Sequence, residues 1–219
     1  MIARLMSEYD DVCVLLPTMN EAETVARVVT DFRDAGFEQV LVIDGRSTDE
    51  TRSVAREAGA RVVEQSGRGK GQAVREAVRD HVDASYVLMA DADATYDAAD
   101  AAAMLDPLLD GNADHVIGNR FADMRSGAMT RLNRIGNRVI NLAFRAIHRK
   151  NYRDILSGIP GVHPRVVRAP PSHRGRVRDR DRDGRRVREN RLSVTVVPIT
   201  YRERPGGSAT NLHPIRDAG

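Results

Sequence analysis

The sequence predicts an α/β fold in which a mostly parallel sheet is flanked by helices. Two observations lead there. From Val12 to Asn119, short β-branched runs alternate with longer segments of helical period, which is how a parallel sheet covered by helices reads. The order also reads β-α-β-α-β-α-β-α-β, so each strand hands over to a crossover helix. At 219 residues one substantial core suffices, and a single domain is the expectation.

In order, strand Val12 to Leu16 comes first, with Asn20 predicted as the cap of a helix whose Val25, Val28, Val29 and Phe32 share a face and which Gly36 ends. Strand Val40 to Ile43 follows. Ser47 and Glu50 have capping-box spacing for the next helix, closed by Gly59 before strand Arg61 to Glu64. The glycine-rich stretch Gly67 to Gly71 then leads into a helix bearing Ala73, Val74, Ala77 and Val78. Strand Tyr86 to Ala90 ends in Asp91-Ala92-Asp93, and helix Ala98 to Leu109 with strand His115 to Ile117 completes the regular part.

Composition removes several function classes. Cys13 is the only cysteine and the six histidines lack paired spacing, so a disulfide framework and a histidine or cysteine zinc site are not expected. The amino terminus lacks a signal-peptide pattern, and the apolar runs fall well short of the ~20 residues of a membrane-spanning helix. Residues Leu132 to Ile147 instead read as an amphipathic helix ringed by Arg131, Arg134, Arg138, Arg145, Arg149 and Lys150. Such a face lies in the headgroup plane of an anionic membrane or docks on a protein core.

The net charge of +3 is local in origin. Residues 159 to 190 hold ten arginines against four acids, while 24 basic face 27 acidic residues elsewhere. This proline- and arginine-rich stretch lacks strand or helix periodicity and has no aromatic residue for stacking on bases, so a nucleic-acid partner is not expected. It reads as an atypical segment, either disordered or translated from a shifted reading frame, and sequencing the locus tests the second possibility. Periodicity resumes with Val194 to Ile199.

Ligands of open α/β sheets sit beyond the carboxyl ends of the strands. Here those ends carry Pro17-Thr18-Met19-Asn20-Glu21, Asp44, the Gly67 to Gly71 loop and Asp91-Ala92-Asp93. Alternating acids such as Asp91 and Asp93 can share a divalent cation that neutralises a diphosphate, and they are equally at home in a solvated turn. Lys70 could meet phosphate, although the loop lacks Walker spacing. Asp44 suits a ribose or base hydrogen bond, or a helix cap.

As an ordered set, Leu16 to Glu21, Val42 to Asp49, Gly69-Lys70-Gly71, Asp91-Ala92-Asp93, Gly118-Asn119-Arg120-Phe121 and Asp154 to Gly158 resemble family 2 glycosyltransferases of the dolichyl-phosphate mannose or glucose synthase kind. The resemblance covers Val12 to about Gly158 and implies the GT-A, Rossmann-like fold. It implies that Pro17, Asn20, Glu21, Asp44, Lys70, Asp91 and Ala92 bind a nucleotide diphosphate sugar, and that Asp91 and Asp93 ligate Mg²⁺ or Mn²⁺. Arg120 and Arg131 would grip phosphate, with Asp93 at the catalytic centre.

The run Gly206 to Pro214 is similar to archaeal relatives that load dolichyl phosphate for protein N-glycosylation, with glucose as the donor guess. The implied chemistry is a single displacement with inversion onto a dolichyl or polyprenyl phosphate. It would occur at the cytosolic face of the membrane, in peripheral contact with it. A nucleotidyltransferase, a basic nucleic-acid-binding protein and an inactive glycosyltransferase remnant are the competing readings. The implied organisation is a nucleotide-sugar and catalytic core over 1–158, the atypical segment 159–190, and a terminal strand with an acceptor-side motif over 191–219.

Overall fold

The computed structural model describes residues 9–124, 160–162, 176–177, 190–191, 193–202 and 204–205. Strands β1 (Val12–Thr18), β2 (Gln39–Asp44), β3 (Arg61–Glu64) and β4 (Tyr86–Met89) alternate with helices α1 (Val25–Asp34), α2 (Thr51–Glu57) and α3 (Lys70–Asp80). A 3₁₀ turn at Ala98–Asp100 opens α4 (Ala101–Leu109), and β5 (His115–Met124), β6 (Pro160–Val162) and β9 (Val194–Tyr201) finish the main sheet. Two short strands, β7 (Arg176–Val177) and β8 (Asn190–Arg191), pair antiparallel in a sheet of their own.

The main sheet has seven strands in the order β3-β2-β1-β4-β6-β5-β9. Only β6 runs against the rest, pairing antiparallel with both β4 and β5. The chain moves outward from β1 through β2 to β3, then returns to place β4 on the other side of β1. That reversal opens a crevice beyond the carboxyl ends of β1 and β4, the place where such sheets bind ligands.

Alternation within β1 explains why helices cover both faces. Val12, Val14 and Leu16 pack with Val28, Val29 and Phe32 of α1 and with Met104 and Leu105 of α4. Cys13 and Leu15 point the other way, onto Ala73, Ala77 and Val78 of α3. Val14, Leu15 and Leu16 have no solvent exposure, and burying a side chain of this size stabilises by about 1.5–3 kcal/mol. Burial on both faces is also why these strands read as unbroken apolar runs.

Local capping differs from expectation. Helix α1 begins at Val25 behind Thr24, and Asn20 lies outside it with a left-handed φ of 55°. The Ser47–Glu50 capping box does not form: α2 starts at Thr51, whose N–H and hydroxyl both donate to Asp49 Oδ1. The reason is long-range, because the loops after β1 and β2 lie side by side and their polar groups bond across the gap. Strand β5 outruns the expected Ile117, since pairing with β9 carries polar residues such as Asn119 and Asp123, with a register shift between them. Pro160–Val162 also forms a strand although no periodicity announces it, because an inner strand of three residues takes its hydrogen bonds from both neighbours.

Candidate active site

Three loops meet at the carboxyl edge, after β1, β2 and β4. Among the described residues the non-glycine positions with positive φ are Asn20 (55°), Arg46 (68°) and Ala94 (58°), one in each loop. Side-chain-bearing residues adopt this region at a cost, and such strain gathers at functional sites. Each loop is held there by specific bonds.

Asp44 is fully buried at the end of β2. Its Oδ2 accepts from the Ser47 N–H at 2.9 Å and its Oδ1 from the Ser47 hydroxyl, while Arg52 Nε stands 3.7 Å away. Ser47 Oγ in turn accepts from the Asn20 N–H at 2.9 Å, and Asn20 Oδ1 accepts from the Thr48 N–H at 2.9 Å. The Ala22 N–H donates to Asp49. Through this relay Asp44 and Asn20 weld the first two loops together. Pro17 sits in β1 opposite Ile43, beyond the last residue pair that β1 makes with β4, where its missing N–H costs that ladder nothing.

The loop after β4 carries the paired acids. Asp91 forms an ion pair with Lys70, the first residue of α3, and Gly69 supplies the positive φ of 85° that turns the chain into that helix. Ala92 is buried, and its carbonyl accepts a 2.6 Å hydrogen bond from Thr24 Oγ1. Asp93 Oδ1 accepts from the Thr95 N–H (3.2 Å) and hydroxyl (2.7 Å), which fixes the carboxylate. Thr24 thus ties α1 to the acidic loop, a contact that no local sequence signal announces.

Glu21 stands within electrostatic reach of Asp93. Burial pushes its carboxyl above the ordinary range, Arg204 opposes that shift, and the charge of Asp93 adds to it. Arg204 Nη2 meets Glu21 Oε2 at 2.5 Å, with both side chains less than a fifth exposed. The segment bearing Arg204 is itself anchored. The Thr200 N–H donates to Asp100, the Arg202 N–H to the Thr95 carbonyl, and Arg202 pairs with Asp97. Tyr96 and Tyr201 also meet edge to face at 5.5 Å. Sequence reasoning singled out neither Arg204 nor Gln65, which caps β3; both depend on strand order for their placement.

Pro17, Asn20, Glu21, Asp44, Lys70, Asp91, Ala92 and Asp93 therefore all lie at the carboxyl edge of the sheet. Arg120 belongs to β5 by its backbone, whereas Arg131, the amphipathic segment Leu132 to Ile147, the Asp154 to Gly158 motif and the Gly206 to Pro214 run fall outside the described residues. Among the described residues no three His, Cys, Asp or Glu side chains gather as a ligand set. The carboxylates present still suit Mg²⁺ or Mn²⁺. Mg²⁺ in nucleotide sites is commonly held by one or two carboxylates plus substrate phosphates, and Asp93 Oδ2 takes no hydrogen bond among the described residues.

The chain is 57% identical over 210 residues to glycosyltransferase AglJ of Haloferax volcanii, covering 96% of this chain and 69% of that protein. It is 34% identical over 229 residues to the dolichyl-phosphate hexose transferase of the same organism, covering 96% and 91%. Its fold matches the crystal structure of glucosyl-3-phosphoglycerate synthase from Mycobacterium tuberculosis in complex with Mn²⁺, UDP-glucose and phosphoglyceric acid. There the TM-score is 0.63 at 21% identity, covering 89% of this chain and 72% of that one. The same enzyme with Mg²⁺ and UDP matches with a TM-score of 0.62 at 20% identity, over the same shares. With the acids of the sheet edge inside a family profile that matches residues 13–168, the chain belongs to glycosyl transferase family 2.

Proposed function

We propose that the protein transfers a hexose, with inversion, from a nucleotide diphosphate sugar to dolichyl or another polyprenyl phosphate, in support of protein N-glycosylation. The observation that carries this reading is that the loop after β4, at the crevice between β1 and β4, holds Asp91 paired with Lys70 and, two residues on, Asp93 fixed by Thr95. The likeness to a dolichyl-phosphate hexose transferase over 96% of the chain supports the acceptor.

In this reading the loop after β1, with Pro17, Asn20 and Glu21, and the loop fixed by Asp44 receive the nucleoside, and Ala92 presents backbone beside it. Asp91 and Asp93 would hold Mg²⁺ or Mn²⁺, which when bound neutralises charge on the diphosphate leaving group. Lys70 meets the diphosphate from α3. Arg120 and Arg131 receive the acceptor phosphate.

That phosphate is ionised at neutral pH, so an acceptor oxygen attacks the anomeric carbon without a general base. The bond from that carbon to the diphosphate breaks, and the nucleoside diphosphate leaves with the electron pair. What the protein supplies is alignment and fixed charge. Residues 1–158 form the catalytic core, extended by β6, and 191–219 bring the acceptor side, with 159–190 between them. No described helix is long and apolar enough to cross a membrane, and peripheral contact at the cytosolic face is the proposed setting.

The test incubates the full chain with Mg²⁺ or Mn²⁺, labelled nucleotide sugars and short dolichyl phosphates, and follows label into the organic phase. Metal-dependent transfer that Asp93→Ala abolishes supports the reading. Donor binding without transfer to any lipid phosphate refutes the acceptor, and no binding of any nucleotide sugar refutes the donor.

A further inference from the structure

The turn that follows Asp93 is held in a conformation that its own residues do not favour. Ala94 has a φ of 58°, which a residue with a side chain adopts at a cost and keeps only where its surroundings fix it. Thr95, 3% exposed, fixes it from both sides. Its N–H and hydroxyl reach back to Asp93 Oδ1, at 3.2 and 2.7 Å, and its carbonyl accepts the Arg202 N–H at 2.7 Å. The set of the Asp93 carboxylate therefore depends on where Arg202 stands.

Asp97 governs that position. It follows Thr95 closely in the chain, and its two oxygens do different things. Oδ1 accepts the Ala99 N–H at 3.2 Å and so opens the 3₁₀ turn, whereas Oδ2 pairs with the Arg202 guanidinium. One carboxylate thus joins the turn after the acidic loop to the segment that closes over it. Neighbouring contacts run in the same direction, since the Thr200 N–H donates to Asp100 at 2.6 Å and Tyr96 bridges to Tyr201. Those bonds set the backbones in register, and the ion pair of Asp97 and Arg202, 25% and 36% exposed, locks them there.

We propose that Asp97 is a positioning residue for the donor site, setting the Asp93 carboxylate, through Arg202 and Thr95, in the orientation that a divalent cation meets. Asp97 itself touches neither metal nor nucleotide. The inference rests on the nucleotide-sugar reading above and adds a residue, outside the pair of acids, on which metal affinity depends. Hydrogen-bond partners of metal ligands commonly contribute a factor of about 10–100 to metal affinity, and Asp97, acting one bond further out, belongs at the lower end.

The experiment measures the Mn²⁺ affinity of the full chain by electron paramagnetic resonance, in the presence of whichever of UDP, GDP and dTDP wild type binds most tightly. Asp97→Asn keeps an oxygen for the Ala99 N–H and turns an amide N–H toward Arg202, so it breaks the pair and spares the turn. Arg202→Gln breaks the same pair from the other side. Each should weaken Mn²⁺ binding roughly tenfold, and the double variant should be no weaker than either. Melting temperature without ligands should change little, because the pair is partly solvated.

The two variants change charge in opposite senses, which separates positioning from a field effect. Asp97→Asn removes a negative charge and Arg202→Gln a positive one, so electrostatics alone would weaken Mn²⁺ binding in the first and strengthen it in the second. That pattern, unchanged affinity in Asp97→Asn, or losses that multiply in the double variant would each overturn the assignment. So would a loss of Mn²⁺ affinity matched by a large fall in melting temperature. Failure of wild type to bind Mn²⁺ with any of these nucleotides would defeat the donor reading first and this inference with it.

Discussion

Removing Arg204 should destabilise the fold in a way that depends on pH, and the sign follows from Glu21. The pair is 15–18% exposed, between a solvated ion pair worth about 0.2–1 kcal/mol and a fully buried one whose breakage costs about 3–5 kcal/mol. Arg204→Ala should therefore cost about 2 kcal/mol at pH 8, or roughly 4–8 °C in Tm for a chain of this size. Burial first and the charge of Asp93 second then raise the Glu21 pKa, against only the weak hydrogen bond from Thr24, which lowers it. A carboxyl whose pKa is higher in the folded than in the unfolded chain binds more protons when folded, so stability falls as pH rises from the unfolded value of about 4.5 through the folded one.

Wild type shares that trend weakly, and the variant should show it strongly. The gap between their urea midpoints should widen from pH 4.5 to pH 8, and Glu21→Gln should remove most of the widening. The double variant should show coupling of about 1 kcal/mol. Equal penalties at both pH values, or additivity of the two single variants within ~0.3–0.5 kcal/mol, would mean that Arg204 acts by packing alone and refute the reasoning.

Further expectations follow from single groups. Thr24→Val keeps the shape of the side chain but strands the buried Ala92 carbonyl, which should cost about 1–3 kcal/mol in urea unfolding and weaken Mn²⁺-dependent nucleotide binding; unchanged binding would show that the acidic loop holds itself. Burial pushes the Cys13 thiol up to about 12, so a thiol reagent at pH 8 should label it only as fast as the protein unfolds, and prompt labelling of native protein would contradict the packing. Burial lowers the pKa of His115 below 6.5, so its contribution to stability is present above pH 6.5 and is lost as pH falls through the folded value. His115→Phe should flatten that acid-side slope, and an unaltered slope would count against the assignment.

The parts of the fold that were legible in the sequence are those where one force dominates. Strand β2 matches expectation to within a residue at each end, because burial on both faces demands uninterrupted apolar side chains there, and the edge strand β3 falls at the expected Arg61–Glu64. The face Val25, Val28, Val29 and Phe32 of α1 is buried as its spacing requires. What could not be read locally is where competing polar partners lie. Asn20, Ser47 and Glu50 have good capping chemistry, yet the first two bond across neighbouring loops and Glu50 accepts from Ser53. The site shows the same division. The acids and Lys70 stand in recognisable motifs, whereas Thr24 and Arg204 gain their contacts only from strand order and from backbone conformations that composition does not reveal.

The charge balance of the site argues that it is a property of the whole sheet and not of the residues up to 158. Glu21 and Asp93 stand close enough for the charge of Asp93 to raise the Glu21 pKa, and Asp91 lies in the same loop as Asp93, an arrangement that repulsion opposes unless cations stand close by. Lys70 arrives from α3 and Arg204 from beyond β9, so the two halves of that balance are separated by much of the chain. The anchoring of Arg204 through Thr200, Tyr201 and Arg202 to the segment Thr95–Asp100 repeats the point, since the same bonds that seat the arginine also fix the turn after Asp93. A fragment without β9 would keep its motifs intact in sequence while losing the hydrogen bond that Thr95 accepts from Arg202 and the cation that faces Glu21. The proposed donor site would then carry unbalanced negative charge before any ligand reached it, and electrostatics alone would weaken its hold on a diphosphate.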